Sequence, residues 1–115
     1  MMLDRIRPNG RLSQAVVANG FVFVSGQGSE DPSRTISEQA QDVLGRLDAL
    51  LAEAGSSKDR IVFADIALSD IANYAAFNQV WDAWVDKASP PARACSEKRV
   101  SAKPYLVEIS VIALA

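Results

Sequence analysis

Along this chain the spacing of apolar residues switches between two periods, and each switch marks an element. Ala15 to Ala18 and Phe21 to Ser25 are runs rich in β-branched and aromatic residues, separated by Asn19-Gly20. That dipeptide tolerates positive φ at both central positions of a two-residue turn, so the segment predicts a β-hairpin. From Thr35 to Ala54, residues Ile36, Ala40, Val43, Leu44, Leu47, Leu51 and Ala54 recur at three- and four-residue steps and place one face of an amphipathic helix. Thr35 with Glu38 has the capping-box spacing at its start, and Gly55 suits the left-handed position past its end. Gly45 interrupts this helix at about 1 kcal/mol relative to alanine, a cost expected to reflect close packing. Ile61 to Leu68 reads as a strand, and Ile71 to Val85 as a second helix with Asp70 as its N-cap and Tyr74, Phe77, Trp81, Trp84 and Val85 on one side. Pro90-Pro91 ends that helix, and strands follow at Ala92 to Lys98 and Tyr105 to Leu114.

The order is thus hairpin, helix, strand, helix, two strands, a mixed α/β arrangement. Two helices shield one face of a sheet, yet Phe21-Val22-Phe23-Val24 and Leu106-Val107, Ile109, Val111-Ile112 are apolar on both faces. At about 25 cal/mol per Å² of apolar area, a wet second face would forgo several kcal/mol, so the pattern predicts that another subunit covers it.

Length and charge narrow the picture. A chain of 115 residues fits one domain spanning 1–115. A net charge of −2 gives no general attraction for nucleic acid; Lys98-Arg99, with Lys103 nearby, reads as a solvated edge. Met1 to Asn9 has three charges and no apolar segment, so neither a signal peptide nor a membrane span is expected there, which points to the cytoplasm. The chain has one cysteine, Cys95, and no histidine. Internal disulfides, the usual zinc and iron ligand sets, and triads built on histidine are therefore excluded, and a metal site would need carboxylates alone.

Chemistry concentrates in the last strands. In Ala92 to Lys98, residues Arg93, Cys95 and Glu97 share one face. Arg93 offers a planar fork of donors suited to anchoring a carboxylate. Glu108 sits inside Leu106-Val107-Glu108-Ile109-Ser110-Val111-Ile112, where burial without company costs several kcal/mol. It either positions a water or pairs with Arg93 as a structural ion pair. Asn78 lies between Tyr74 and Trp81 on the second helix, facing a ligand or nearby backbone. Cys95 reads first as a small buried hydrophobe, and Tyr74, Trp81 and Trp84 as core or interface residues. Gly26 and Gly28, in Ser25-Gly26-Gln27-Gly28, either admit a close approach to the backbone or simply loosen the strand's exit.

Several segments together resemble the RidA/YjgF family: Ser13-Gln14-Ala15-Val16, Phe23-Val24-Ser25-Gly26-Gln27, Leu50-Leu51-Ala52-Glu53-Ala54-Gly55, Asn78 in its helix, Pro91-Ala92-Arg93-Ala94-Cys95 and Val107-Glu108-Ile109. The similarity runs from Ser13 nearly to the end; the combination of Pro-Ala-Arg-x-Cys with the later Val-Glu-Ile is its most specific part. Asn78-Gln79-Val80-Trp81-Asp82-Ala83-Trp84-Val85 looks most like the YoaB-type branch. The resemblance implies a chorismate-mutase-like α+β fold, a mixed sheet with two helices on one face, assembled as a homotrimer with clefts between subunits. It implies hydrolysis of reactive 2-imino or enamine acids to 2-keto acids and ammonia, without a cofactor. Arg93 would hold the substrate carboxylate and Glu108 would orient the attacking water, while Ser25, Gly26, Asn78 and the backbone around Cys95 would line the cleft. One departure is Leu12, where the family often carries a tyrosine before Ser-Gln. A non-catalytic carboxylate-binding or regulatory role is the alternative, and endoribonuclease activity, a label attached to some relatives, ranks third.

Overall fold

Residues 3–100 and 103–115 are described by a computed structural model of the chain. Strands β2 (Ala15–Ala18) and β3 (Phe21–Gln27) form the expected hairpin. Ala18 faces Phe21 across the turn, and Asn19 (φ 53°) and Gly20 (φ 83°) both take the positive φ that a type I′ turn demands. No alternation of apolar residues marks Met1–Asn9, yet Leu3–Ile6 form a further strand, β1, paired antiparallel with β2. Only Ile6 of that strand is buried, and the charged Asp4 and Arg5 suit a sheet edge, which is why no periodic signal announces it.

Helix α1 (Ile36–Glu53) is closed at both ends as its sequence dictates. Thr35 Oγ1 accepts from Glu38 N–H (3.2 Å) while Thr35 N–H donates to Glu38 Oε1 (3.2 Å). Gly55, at φ 80°, lets Ser56 N–H reach Leu51 O (2.7 Å) and its own N–H reach Ala52 O (3.0 Å), the two bonds of a Schellman motif. Ala40, Val43, Leu44, Leu47 and Leu51 are buried as expected, joined by Leu50 and Gln39. Each leucine taken from water contributes roughly 1.5–3 kcal/mol. The expectation for Gly45 is corrected: a methyl group there would meet nothing within 4 Å, so close packing does not explain the glycine.

Strand β4 (Ile61–Leu68) leads through a 3-10 turn (Ile71–Asn73) into helix α2 (Tyr74–Trp84), which begins later than the predicted Ile71. Asp70 Oδ1 accepts from Ala72 N–H (2.9 Å), and Glu97 Oε1 reaches back to Ile71 N–H (2.9 Å). Strand β5 (Ala92–Glu97) follows the two prolines. The last strand, β6 (Val107–Leu114), starts two residues after the predicted Tyr105, because Leu106 gives its N–H to the side chain of Gln39 (3.0 Å).

The sheet order is β1-β2-β3-β6-β4-β5, with β4 and β5 parallel and the other neighbours antiparallel. The expectation of a mixed sheet with helices on one face therefore holds. Ala15, Val22, Val24, Ala64, Ile66, Leu68, Val107, Ile109 and Val111 turn toward the helices and form one buried cluster with α1, Phe77 and Trp81. The other face carries Phe21, Phe23 and Leu114, which are 38%, 45% and 43% exposed.

Candidate active site

Arg93 stands on β5 opposite Ala64 of β4, on the helix-covered face. Its neighbours come from a single stripe of α2, where Tyr74, Asn78 and Trp81 recur at four and three residues. The Nη2 group donates to Asn78 Oδ1 at 2.9 Å and to the Tyr74 hydroxyl at 3.3 Å. The guanidinium carbon lies 5.2 Å from the Trp81 ring centroid and 5.9 Å from that of Tyr74, within cation–π range. Among the described residues no carboxylate lies within ion-pair distance of this cation. Neutral acceptors and ring faces orient the guanidinium and, among the described residues, leave its charge uncompensated, a setting suited to a small anion.

Cys95 and Glu97, the face-mates of Arg93, have other employment. Burial, chiefly, pushes the Cys95 thiol up, with Asp65 adding to the effect and Arg93 opposing it. The thiol is half-buried and packs against the core, close to its reading as a small hydrophobe, and the upward shift works against a nucleophilic role. Glu97 caps the turn before α2.

Ser25 and Gly26 lie elsewhere, where β3 slips out of register with β6 between Val24 and Gln27. Ser25 Oγ donates to Ser13 O (2.7 Å), and Gln27 Nε2 donates to Gln14 Oε1 and Ser25 O (2.9 Å each). Both glycines admit close approach. A Cβ on Gly26 would fall 1.9 Å from Glu108 Oε1, and one on Gly28 would fall 3.2 Å from the Tyr105 ring. Glu108 thus lies against bare backbone, half-buried, and no hydrogen-bond donor among the described residues reaches it. Burial pushes its carboxyl above the ordinary range, with Lys98 partly opposing. It opens onto a polar cleft of about 470 Å³ that Gly26, Gln27, Arg46 and Tyr105 also line.

The register settles how the two halves relate. Arg93 is level with Ala64, Glu108 is level with Ala67, and positions three apart on one strand point to opposite faces. Arg93 and Glu108 therefore do not meet within one chain, and the alternative that they form a simple internal ion pair is excluded. The structure brings Arg93, Asn78 and Tyr74 together on one side and Ser25, Gly26 and Glu108 on the other.

Three polar residues with structural tasks escaped the sequence reading. Fully buried Gln39 donates to Pro32 O (3.1 Å) and Arg34 O (2.9 Å). Asp42 Oδ2 accepts from buried Ser29 Oγ (2.8 Å) and Glu30 N–H (2.9 Å), tying the segment after Gly28 to α1. Burial raises the Asp42 carboxyl, but these bonds, with Arg46 and Arg34, bring it below the usual value. Trp84 Nε1 donates to Asp48 Oδ2 (2.9 Å) and joins the two helices. All three polar partners sit on the flank of α1, where a 3.6-residue apolar period carries no information about them. Among the described residues no group of three cysteine or carboxylate side chains is placed to hold a metal ion, and no helix is long and apolar enough to cross a membrane.

Comparisons with known proteins give these features a lineage. The family model described as Endoribonuclease L-PSP matches residues 2–115. A RutC family protein of Haemophilus influenzae is 43% identical, with 98% of each chain covered. The RutC family protein YoaB of Escherichia coli is 34% identical over 98% of each chain. The crystal structure of a YjgF family member from Neisseria meningitidis superimposes with a TM-score of 0.95 at 43% identity, covering 99% of this chain and 95% of that one. On sequence and fold together, the chain belongs to the RutC/YjgF family.

Proposed function

We propose that the protein hydrolyses reactive 2-imino and enamine acids to 2-keto acids and ammonia, in clefts formed where two copies meet. The observation that carries this reading is Arg93: an oriented, partly enclosed guanidinium with no carboxylate among the described residues to neutralise it, suited to the carboxylate of a small acid. An imine bound through its carboxylate needs little more than a positioned water and a proton carrier. Glu108, its proton affinity raised by burial, takes a proton from water as the oxygen bonds to the imine carbon. It gives that proton to the nitrogen, leaving a carbinolamine, and then carries the carbinolamine's hydroxyl proton to the amine as the carbonyl forms, the carbon–nitrogen bond breaks and ammonia leaves. Because Arg93 and Glu108 occupy opposite faces, the reading requires Arg93 of one copy beside Ser25, Gly26 and Glu108 of another, with Asn78 orienting the guanidinium and the backbone near Cys95 completing the wall. The exposed Phe21, Phe23 and Leu114 support such self-association, and the family resemblance suggests a trimer.

The family's printed description also raises RNA cleavage. A net charge of −2 and the absence of histidine supply neither phosphate attraction nor imidazole acid–base chemistry, so that reading ranks last. The test is hydrolysis of freshly generated 2-iminobutyrate. The parent should accelerate it over buffer, and Arg93→Ala should lose about a hundredfold in kcat/KM, as befits removal of a charge-assisted anchor. No acceleration, with saturable Arg93-dependent binding of 2-keto acids, would leave a binding protein in place of an enzyme.

A further inference from the structure

The segment joining β1 to β2 builds a second cationic feature that the proposed chemistry does not use. Asn9 Oδ1 accepts from both Arg11 N–H and Leu12 N–H (3.0 Å each), and Asn9 N–H donates to Leu12 O (2.9 Å). Gly10 takes φ 86° between them, and Gln14 N–H closes the base of the loop on Ile6 O (2.9 Å). These bonds hold Arg11 and Leu12 in a set conformation. Arg5 enters from β1 in register with Val16, on the same open face as Phe23.

The result is a pocket of about 460 Å³ lined by Arg5, Pro8, Arg11, Leu12, Val16 and Ser25. Three of those side chains are apolar walls and two are guanidiniums. Neither the Arg5 nor the Arg11 guanidinium makes an ion pair or a hydrogen bond among the described residues. Elsewhere the chain does supply partners: Arg7 pairs with Glu53 and Arg34 with Asp31. Two uncompensated cations sharing one pocket in a chain of net charge −2 are a local field of the opposite sign, and such a field favours an anion. Ser25 lines this pocket and its chain neighbour Gly26 lines the cleft of Glu108, so the two spaces adjoin along β3.

From this placement we infer that Arg5 and Arg11 form a specificity subsite for a second carboxylate, so that the preferred ligands are dicarboxylic 2-imino or 2-keto acids. The inference rests on the reading of Arg93 as the anchor of the first carboxylate. A distal carboxylate would take the paired donors of one or both guanidiniums, while Leu12, Pro8 and Val16 pack against the methylenes between the acid groups.

Calorimetric titration of the intact protein with 2-oxoglutarate and with 2-oxobutyrate tests it. The parent should bind the dicarboxylate about tenfold more tightly. In the double variant R5Q/R11Q that ratio should fall to about one through loss of 2-oxoglutarate affinity. Equal affinities in the parent, a preference that survives R5Q/R11Q, or no binding of either keto acid would each overturn the subsite. Imine hydrolysis by the same parent preparation keeps the two ideas separate. Turnover without a dicarboxylate preference removes the subsite and keeps the deaminase. A dicarboxylate preference without turnover does the reverse.

Discussion

The two faces of the sheet hold the two halves of the proposed chemistry, and they are finished to different degrees. On the helix-covered face, Arg93 has a complete setting within one chain: two neutral acceptors and two ring faces, all from α2. On the open face, Glu108 has a wall of bare glycine, no donor among the described residues and a cleft open to solvent. The first half is assembled by folding. The second is prepared by folding and would be completed by whatever docks on the face that exposes Phe21, Phe23 and Leu114. A charge on the finished side is held without a counter-charge, and a carboxylate on the unfinished side has its proton affinity raised. Both are states that a small substrate with an acid group and a hydrolysable bond would relieve.

Mixing variants probes this contrast most strongly. Arg93→Ala and Glu108→Gln should each be nearly inactive toward 2-iminobutyrate alone. Unfolded and refolded together in equal amounts, they should recover roughly a quarter of the parent activity, because random assembly gives that share of interfaces an intact Arg93 facing an intact Glu108. Recovery absent from a correctly assembled mixture would show that the two groups do not act across an interface.

Gly26→Ala comes next. With the Cβ only 1.9 Å from Glu108 Oε1, the carboxylate must move, and as the far end of a flexible, half-buried side chain it moves cheaply, so activity should fall about tenfold while denaturant unfolding shows a loss of less than about 1 kcal/mol. The Arg93 setting lies on the other face, and 2-keto acid binding that depends on it should suffer less than turnover.

The smallest effect is on stability. Because the Glu108 carboxyl is raised in the folded chain, its ionisation opposes folding as pH climbs from the ordinary carboxyl value through the raised one. Glu108→Gln should therefore unfold at a slightly higher temperature than the parent at neutral pH and lose that advantage below the ordinary carboxyl value. Thermal melts across that range give the sign. Asp42, held below its usual value, behaves oppositely: its contribution is present at neutral pH and fades as pH falls through its lowered value.

How much of this was legible depended on the range of the interaction concerned. The hairpin, the capping box of Thr35 and Glu38 and the Gly55 terminator are settled by residues a few positions apart, and the structure repeats them with the expected φ values and bonds. Arg93, Asn78 and Glu108 were recognisable as residues out of place in apolar or small surroundings. Gln39 and Asp42 were not, because a polar side chain on a helix flank looks the same whether it meets water or a distant carbonyl.

Sequence alone determined the hairpin, the existence of both helices and the three later strands, the two ends of α1 and the identity of the ionisable groups, since these follow from local periodicity, turn stereochemistry and composition; β1 and the starts of α2 and β6 it did not determine. Tertiary structure alone decided that Arg93 and Glu108 lie on opposite faces and that Gly26 is bare to admit a carboxylate. It also decided that Arg5 and Arg11 share a pocket with Ser25. The physical reason is that alternation along a strand fixes which residues share a side, but the register between strands fixes which sides coincide. A slip of one residue would have reversed the answer.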